Sequence, residues 1–258
     1  MKKAVGFAFG RVILAGLACA LIGGAPSGAA AGTAGDLQEA KEKGKIAFVL
    51  VTEPGAAGVR EAERVVGDAV KKSGKAVMVR LDRSDPDNAS LVSRYRLAGP
   101  QIPLVLVLAP NGVIVGGVLA EGMTTEGLLG MVPTRREAEL IEILQAGRSV
   151  LVLASRNGQA GEDTAFAACE KARVMADGKL AIVRVDMADK AEQAFLRKLR
   201  IDPGSEKPVT VVISNRGQVT GSFEGPADPT ALVQASSKAA GGCCSGGKRK
   251  GAVCKPKG

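Results

Sequence analysis

The strongest constraint on this chain is that a unit of about 105 residues occurs twice. Gly44 matches Gly147, Gly55 matches Gly158 and Asp82 matches Asp186; further along, Pro103 matches Pro208 and Gly112 matches Gly217. The separation drifts only from 103 to 105, which two small insertions explain. Local text agrees, since VMVRLD ending at Asp82 corresponds to IVRVD ending at Asp186. A chain of 258 residues therefore holds two domains of ordinary size, each able to bury its own core. With no Trp and one Tyr, those cores must be built from Val, Leu, Ile and Ala.

Within each unit the hydrophobic period alternates between strand and helix. Unit one opens with an amphipathic stretch, Asp36 to Lys43, followed by an apolar run from Ile46 to Val51 that reads as a buried strand. Val59, Ala62, Val66, Ala69 and Val70 then recur at helical spacing within Ala56 to Lys72. A second strand is expected at Ala76 to Leu81, and Pro86 opens a helix running to about Leu97, where its missing donor costs little. A strand from Pro103 to Leu108 turns at Asn111-Gly112 and returns through Val113 to Leu119, before a last helix near Thr124.

Unit two repeats the order: a helix at Arg135 to Gln145, a strand at Val150 to Ala154, a helix at Glu162 to Met175, a strand at Leu180 to Val185 and a helix at Lys190 to Leu199. Strands at Pro208 to Ile213 and Gln218 to Phe223 flank a turn at Arg216-Gly217, and Pro229 leads into the final helix. The fold class is α/β, with two tandem mixed sheets flanked by helices. Each sheet joins a parallel βαβ unit to an antiparallel hairpin.

That order, with a proline leading a buried strand and a glycine turn before the last one, resembles the thioredoxin family. In unit one the resemblance is carried by Tyr95, Leu97, Ile102-Pro103, the run Leu104 to Leu108 and Asn111-Gly112; in unit two by Pro208, Val209 to Ile213 and Gly217, with a slightly longer loop before the proline. It spans Asp36 to about Ala240 and implies domains at 36–133 and 134–237. It also implies that both prolines are cis and lie beside the position of the family's active site.

At that position the family carries a Cys-x-x-Cys, where the helix dipole and free amides lower a thiol pKa. The corresponding tetrapeptides here run from Pro54 to Ala57 and from Asn157 to Ala160, and neither holds sulfur. Glu53 and Arg156 stand where the family has a Trp, and Phe48 and Leu151 stand about where it has a buried acid. The chain also lacks His, the usual general base and commonest metal ligand. No catalytic residue and no cofactor are assigned. Cys169, placed with Phe166, Ala172 and Met175 at three-residue spacing, reads as a small buried hydrophobe. The acids from Asp82 to Asp87 and from Asp186 to Asp189 read as solvated helix starts, because their spacing is not that of an oxygen-ligand loop.

The two ends differ from the middle. Residues 1–31 have a basic start, an apolar stretch from Val12 to Ile22 and the run Ala29-Ala30-Ala31, the pattern of a cleaved export leader. The lipid-modification motif wants Leu where Gly16 stands, so Cys19 reads as an apolar leader residue, with lipid anchoring as the alternative. Residues 238–258 form a basic, Gly-rich tail containing Cys243, Cys244 and Cys254. Three readings of these thiols stay open: disulfide exchange or a disulfide-linked partner, binding of a soft metal such as copper or zinc, or no specific role.

The net charge of +9 comes from these ends, which hold nine of the 35 basic residues and no acid. The remaining 26 basic residues equal the 26 acidic ones, which removes the electrostatic case for nucleic acid. No sequence register for nucleotide phosphates is present either. The leader pattern implies an exported, periplasmic or extracellular protein, and the resemblance implies a non-catalytic one that binds a protein or peptide partner in the cell envelope. Strand-like bonds would form at the residue before each proline, which makes Ile102, Pro103, Lys207 and Pro208 the candidate partner-binding residues. After leader cleavage no integral membrane segment is expected. The alternative is a thiol oxidoreductase or copper-binding protein acting through the tail.

Overall fold

A computed structural model describes residues 32–238. The expected leader with Cys19, and the tail cysteines Cys243, Cys244 and Cys254, lie outside the described residues. In repeat one, α1 (Thr33–Glu42), β1 (Ile46–Thr52), α2 (Val59–Ser73) and β2 (Ala76–Asp82) lead to a 3-10 turn, Pro86–Asn88, that runs into α3 (Ala89–Arg94). The hairpin β3 (Leu104–Leu108) and β4 (Ile114–Leu119) and the short α4 (Thr125–Gly130) complete it. Repeat two follows with α5 (Arg135–Gln145), β5 (Ser149–Ser155), α6 (Glu162–Met175), β6 (Leu180–Asp186), a 3-10 turn at Lys190–Glu192 and α7 (Gln193–Lys198). It ends in β7 (Val209–Ile213), β8 (Val219–Glu224) and α8 (Pro229–Ser237).

The sheets have the orders β2-β1-β3-β4 and β6-β5-β7-β8. In each, the first two strands pair in parallel and the rest antiparallel. Each hairpin carries a register shift at the matching place, between Val107 and Leu108 and between Val212 and Ile213.

Alternation along the first strand of each repeat builds a three-layer sandwich. In β1, Ile46, Phe48 and Leu50 pack toward Ala62, Val65 and Val66 of α2, while Ala47, Val49 and Val51 join Ala40 of α1 and Leu91 of α3 on the other face. In β5, Leu151 and Leu153 meet α6 and α8, and Val150, Val152 and Ala154 meet α5 and α7. Burying a side chain such as Phe48 or Leu153 stabilises by about 1.5–3 kcal/mol, so these faces account for much of each core.

Three local expectations are corrected. The helix expected from Ala56 begins at Val59, because Gly55 and Gly58 hold φ of +80° and +79° and keep the chain out of the helical region. The helices expected to run to Leu97 and Leu199 stop at Arg94 and Lys198. Each closes on an arginine of positive φ, Arg96 or Arg200, with the next amide reaching back to Val92 O or Leu196 O. Met175 does not share a buried face with Cys169: Cys169 and Ala172 are fully buried, whereas Met175 is 54% exposed. Three-residue steps fall short of a full turn by about 60° each, so nine residues carry Met175 to the far side of α6 from Phe166.

Candidate functional site

The register places the candidate residues of each repeat at one end of its sheet. Val51 pairs with Leu104, so Pro103 follows the end of β1 and Ile102 lies near Glu53, at the start of the loop holding Pro54 and Ala57. Ala154 pairs with Val209, which sets Pro208 and Lys207 near Arg156 and the loop holding Asn157 and Ala160. Each loop then enters its helix through a glycine of positive φ, Gly58 or Gly161, without a side-chain cap.

From this shared frame the two sites diverge. The Ile102–Pro103 bond is cis, as expected. Among the described residues it is the one cis bond, so the expectation for Lys207–Pro208 is corrected: that bond is trans. The physical difference lies in the approach to the proline. Residues 202–207 form a compact turn in which Gly204 N donates to Asp202 Oδ1 at 2.8 Å and Ser205 N donates to Asp202 O at 3.1 Å. Ser205 Oγ donates to Lys207 O at 2.9 Å and accepts from Lys207 N at 3.4 Å, so both backbone polar groups of Lys207 are engaged. Arg156 holds this turn from the opposite side, donating to Ser205 O at 3.1 Å and to Pro203 O. Gln159 Nε2 donates to Ser205 O at 2.9 Å, and Gln159 Oε1 accepts from Arg156 N.

In repeat one the corresponding loop is held further back. Arg83 pairs with Glu53 at 2.6 Å and donates to Pro100 O at 2.9 Å and Leu97 O at 3.3 Å. That clamp stops at Pro100. Neither the amide nor the carbonyl of Ile102 has a partner among the hydrogen bonds of the described residues. Sequence reasoning missed Arg83, Gln159 and Ser205; the extra loop length before Pro208 was a signal for the last two, and none pointed to Arg83.

The two loops that carry the tetrapeptides differ in the same sense. Pro54, Gly55, Ala57 and Gly58 are exposed, and a β-carbon built on Gly58 would meet nothing within 4 Å. In repeat two, Glu162 accepts from Ser155 Oγ at 3.0 Å, Gly158 N at 3.1 Å and Arg184 at 2.8 Å. The Ser155 hydroxyl above all, then the Gly158 amide and Arg184, holds the Glu162 carboxyl below the usual glutamate range. A β-carbon on Gly161 would lie 3.7 Å from Pro226 Cδ and 4.0 Å from Pro208 Cδ, so this loop has neighbours where Gly58 has none.

Other chemistry has little to stand on here. Burial pushes the Cys169 thiol up to about 11, which leaves it protonated and unreactive at neutral pH. A polar cleft of about 430 Å³ beside Asn157 contains Arg136 and Arg184, but both are paired, with Glu139 and Glu162. A larger cavity, about 860 Å³, is lined by Lys75 and Asn111 of repeat one and by Glu142 and Glu192 of repeat two. Glu192 Oε1 there accepts from Arg136 N at the start of α5, which makes that carboxylate a helix cap. Asp85 and Asp189 likewise cap the 3-10 turns through Asp87 N and Ala191 N. Among the described residues, no three His, Cys, Asp or Glu side chains are grouped to hold a metal ion, and no helix is long and apolar enough to cross a membrane.

Each repeat is thus a thioredoxin-like domain, and the chain is a tandem thioredoxin-fold protein. No protein-family model and no curated protein matches the sequence. Among solved structures, it is similar to the first two thioredoxin domains of Saccharomyces cerevisiae Eps1p, at 12% identity over 81% of this chain and 96% of that one, with a TM-score of 0.31. It is also similar to the NTD_N/C domain of the alkylhydroperoxide reductase AhpF of Enterococcus faecalis, at 12% identity over 78% of this chain and 98% of that one, with a TM-score of 0.29. Zinc-bound human ERp44 matches at 10% identity over 76% of this chain and 56% of that one, with a TM-score of 0.34. The fold assignment stands on strand order and connections, not on these distant likenesses.

Proposed function

We propose that this is an exported, redox-silent thioredoxin-fold protein that binds an extended segment of a protein partner at Ile102. The observation that carries the reading is the unpartnered amide and carbonyl of Ile102, beside a thiol-free loop that is exposed and lightly tethered. An extended peptide gains main-chain hydrogen bonds from such a residue, with side-chain specificity supplied by its surroundings. Pro54 and Ala57, both exposed, supply apolar surface in the neighbouring loop. Pro103 O already accepts from Ala120 N, which leaves Ile102 as the point of attachment.

The test is an amide-resolved NMR titration with a blocked five-residue peptide of alternating threonine and valine. The Ile102 amide is expected to shift and to gain protection from exchange, and Ile102→Asp to weaken binding about tenfold or more. Unchanged binding by the variant would remove this site from consideration. Export rests on the three-part pattern of residues 1–31 and is tested separately. The mature protein recovered from the cell envelope is expected to begin just after Ala31; recovery of an intact Met1 in the cytoplasm would contradict it.

A further inference from the structure

We propose that the cavity between the two repeats holds a linear aliphatic diamine, its ammonium ends on the carboxylates of Glu192 and Glu142. This site stands apart from Ile102 and takes nothing from the reading of that residue. Glu192 carries the argument. It is 4% exposed and lines the cavity of about 860 Å³; Oε1 caps α5 through Arg136 N at 3.1 Å, but Oε2 has no hydrogen-bond partner among the described residues. Leaving a buried carboxylate oxygen unpaired is costly, so a donor arriving from the cavity relieves that cost. An anion finds no such opening: at the same helix end, Arg136 N is engaged by Glu192 and Glu137 N by the Thr134 hydroxyl.

The remaining charges around the cavity fix the form of the ligand. Four carboxylates line it, those of Glu139, Glu142, Asp189 and Glu192, against two cations, Lys75 and Arg135. Both cations are exposed, and neither forms an ion pair among the described residues. Glu139 is paired with Arg136, and Asp189 caps Ala191 N. That leaves Glu142, which accepts from the neutral amide of Asn111 at 2.9 Å and, like Glu192, lacks a cationic partner among the described residues. Glu192 meets α5 at Arg136, and Glu142 stands six positions further, about 9 Å along the axis. Ala138 lies on the wall between them, and Val132 and Pro133 line the same space. A chain of about four or five methylenes between two ammonium groups matches that gap: each end makes a charge-assisted hydrogen bond and the body meets apolar wall.

The experiment titrates the native protein with 1,4-diaminobutane and 1,5-diaminopentane at neutral pH and low salt, by calorimetry and by amide NMR. One diamine is expected to bind with a Kd below about 1 mM, shifting the Ala138 and Ala191 amides and leaving Ile102 unmoved. 1-Aminobutane and N-acetyl-lysine methylamide, each with a single ammonium group, are expected to bind at least about tenfold more weakly, and 1,4-butanediol not at all. Glu192→Gln keeps an acceptor for Arg136 N, and Glu142→Gln lies away from the cap; each is expected to weaken the diamine about tenfold or more with helix content unchanged. Should Glu192→Gln fail to fold, Glu142→Gln decides alone. No binding by the native protein, equal affinity for diamine and monoamine, or unchanged affinity in Glu142→Gln overturns the proposal. Tighter binding of N-acetyl-lysine methylamide than of either diamine also overturns it, and gives the cavity to a lysine side chain of a protein partner.

Discussion

The two pre-proline loops solve the same geometric problem with opposite charge placements. In repeat two, a guanidinium at the end of the first strand, Arg156, reaches across to Pro203 O and Ser205 O. In repeat one the matching position is acidic, and Glu53 instead recruits Arg83 from the end of β2, which holds Leu97 O and Pro100 O. The swap changes where the tether ends: at the residues next to the proline in repeat two, two residues short of Ile102 in repeat one. Two copies of one scaffold thereby differ at the residue before the proline, whose backbone groups are hydrogen-bonded in repeat two and free of protein partners among the described residues in repeat one, with the sheet and both core layers left in place.

The largest difference between the repeats is expected on removing Arg83. Its side chain is 20% exposed, and three acceptors depend on it. Arg83→Ala is expected to cost about 1–2 kcal/mol, a figure kept low because water can reach Glu53 and share in solvating the freed carbonyls. Denaturant unfolding measures that loss. Hydrogen exchange should show faster amides at 97–101 and no change at 202–207, together with weaker peptide binding at Ile102. Equal loosening of both loops would mean that the two tethers are not independent.

The duplication, the order of the elements and both hairpin turns were readable from residue spacing, because apolar period and Gly/Pro punctuation are local signals. The bounds of α5 and α6 follow from the same signals, and Thr134 caps the first of them through Glu137 N. The state of each groove was not readable in this way. Arg156 and Ser205 are 49 positions apart, and the direction a guanidinium takes depends on which carbonyls the folded loop brings within reach. The longer loop before Pro208 was legible, but not that Ser205 within it would fill the hydrogen bonds of Lys207. Met175 was misplaced for a different reason: an i+3 series looks periodic over two steps and has crossed the helix after three.

A smaller effect separates the repeats by pH. Glu162 ties the loop of repeat two to α6, and its place in repeat one is taken by Val59, which does not titrate. Because the folded state holds the Glu162 carboxyl below the ordinary glutamate range, its contribution is fully present above that range and disappears as pH falls through the lowered value. Acid should therefore release the Gly158 amide and quicken its exchange while leaving Gly55 unaffected. Glu162→Gln is the discriminating variant, because it keeps the side chain's size and removes its charge. It should exchange Gly158 faster at neutral pH and lose most of the acid dependence, and an undiminished dependence in that variant would show that Glu162 is not the group responsible.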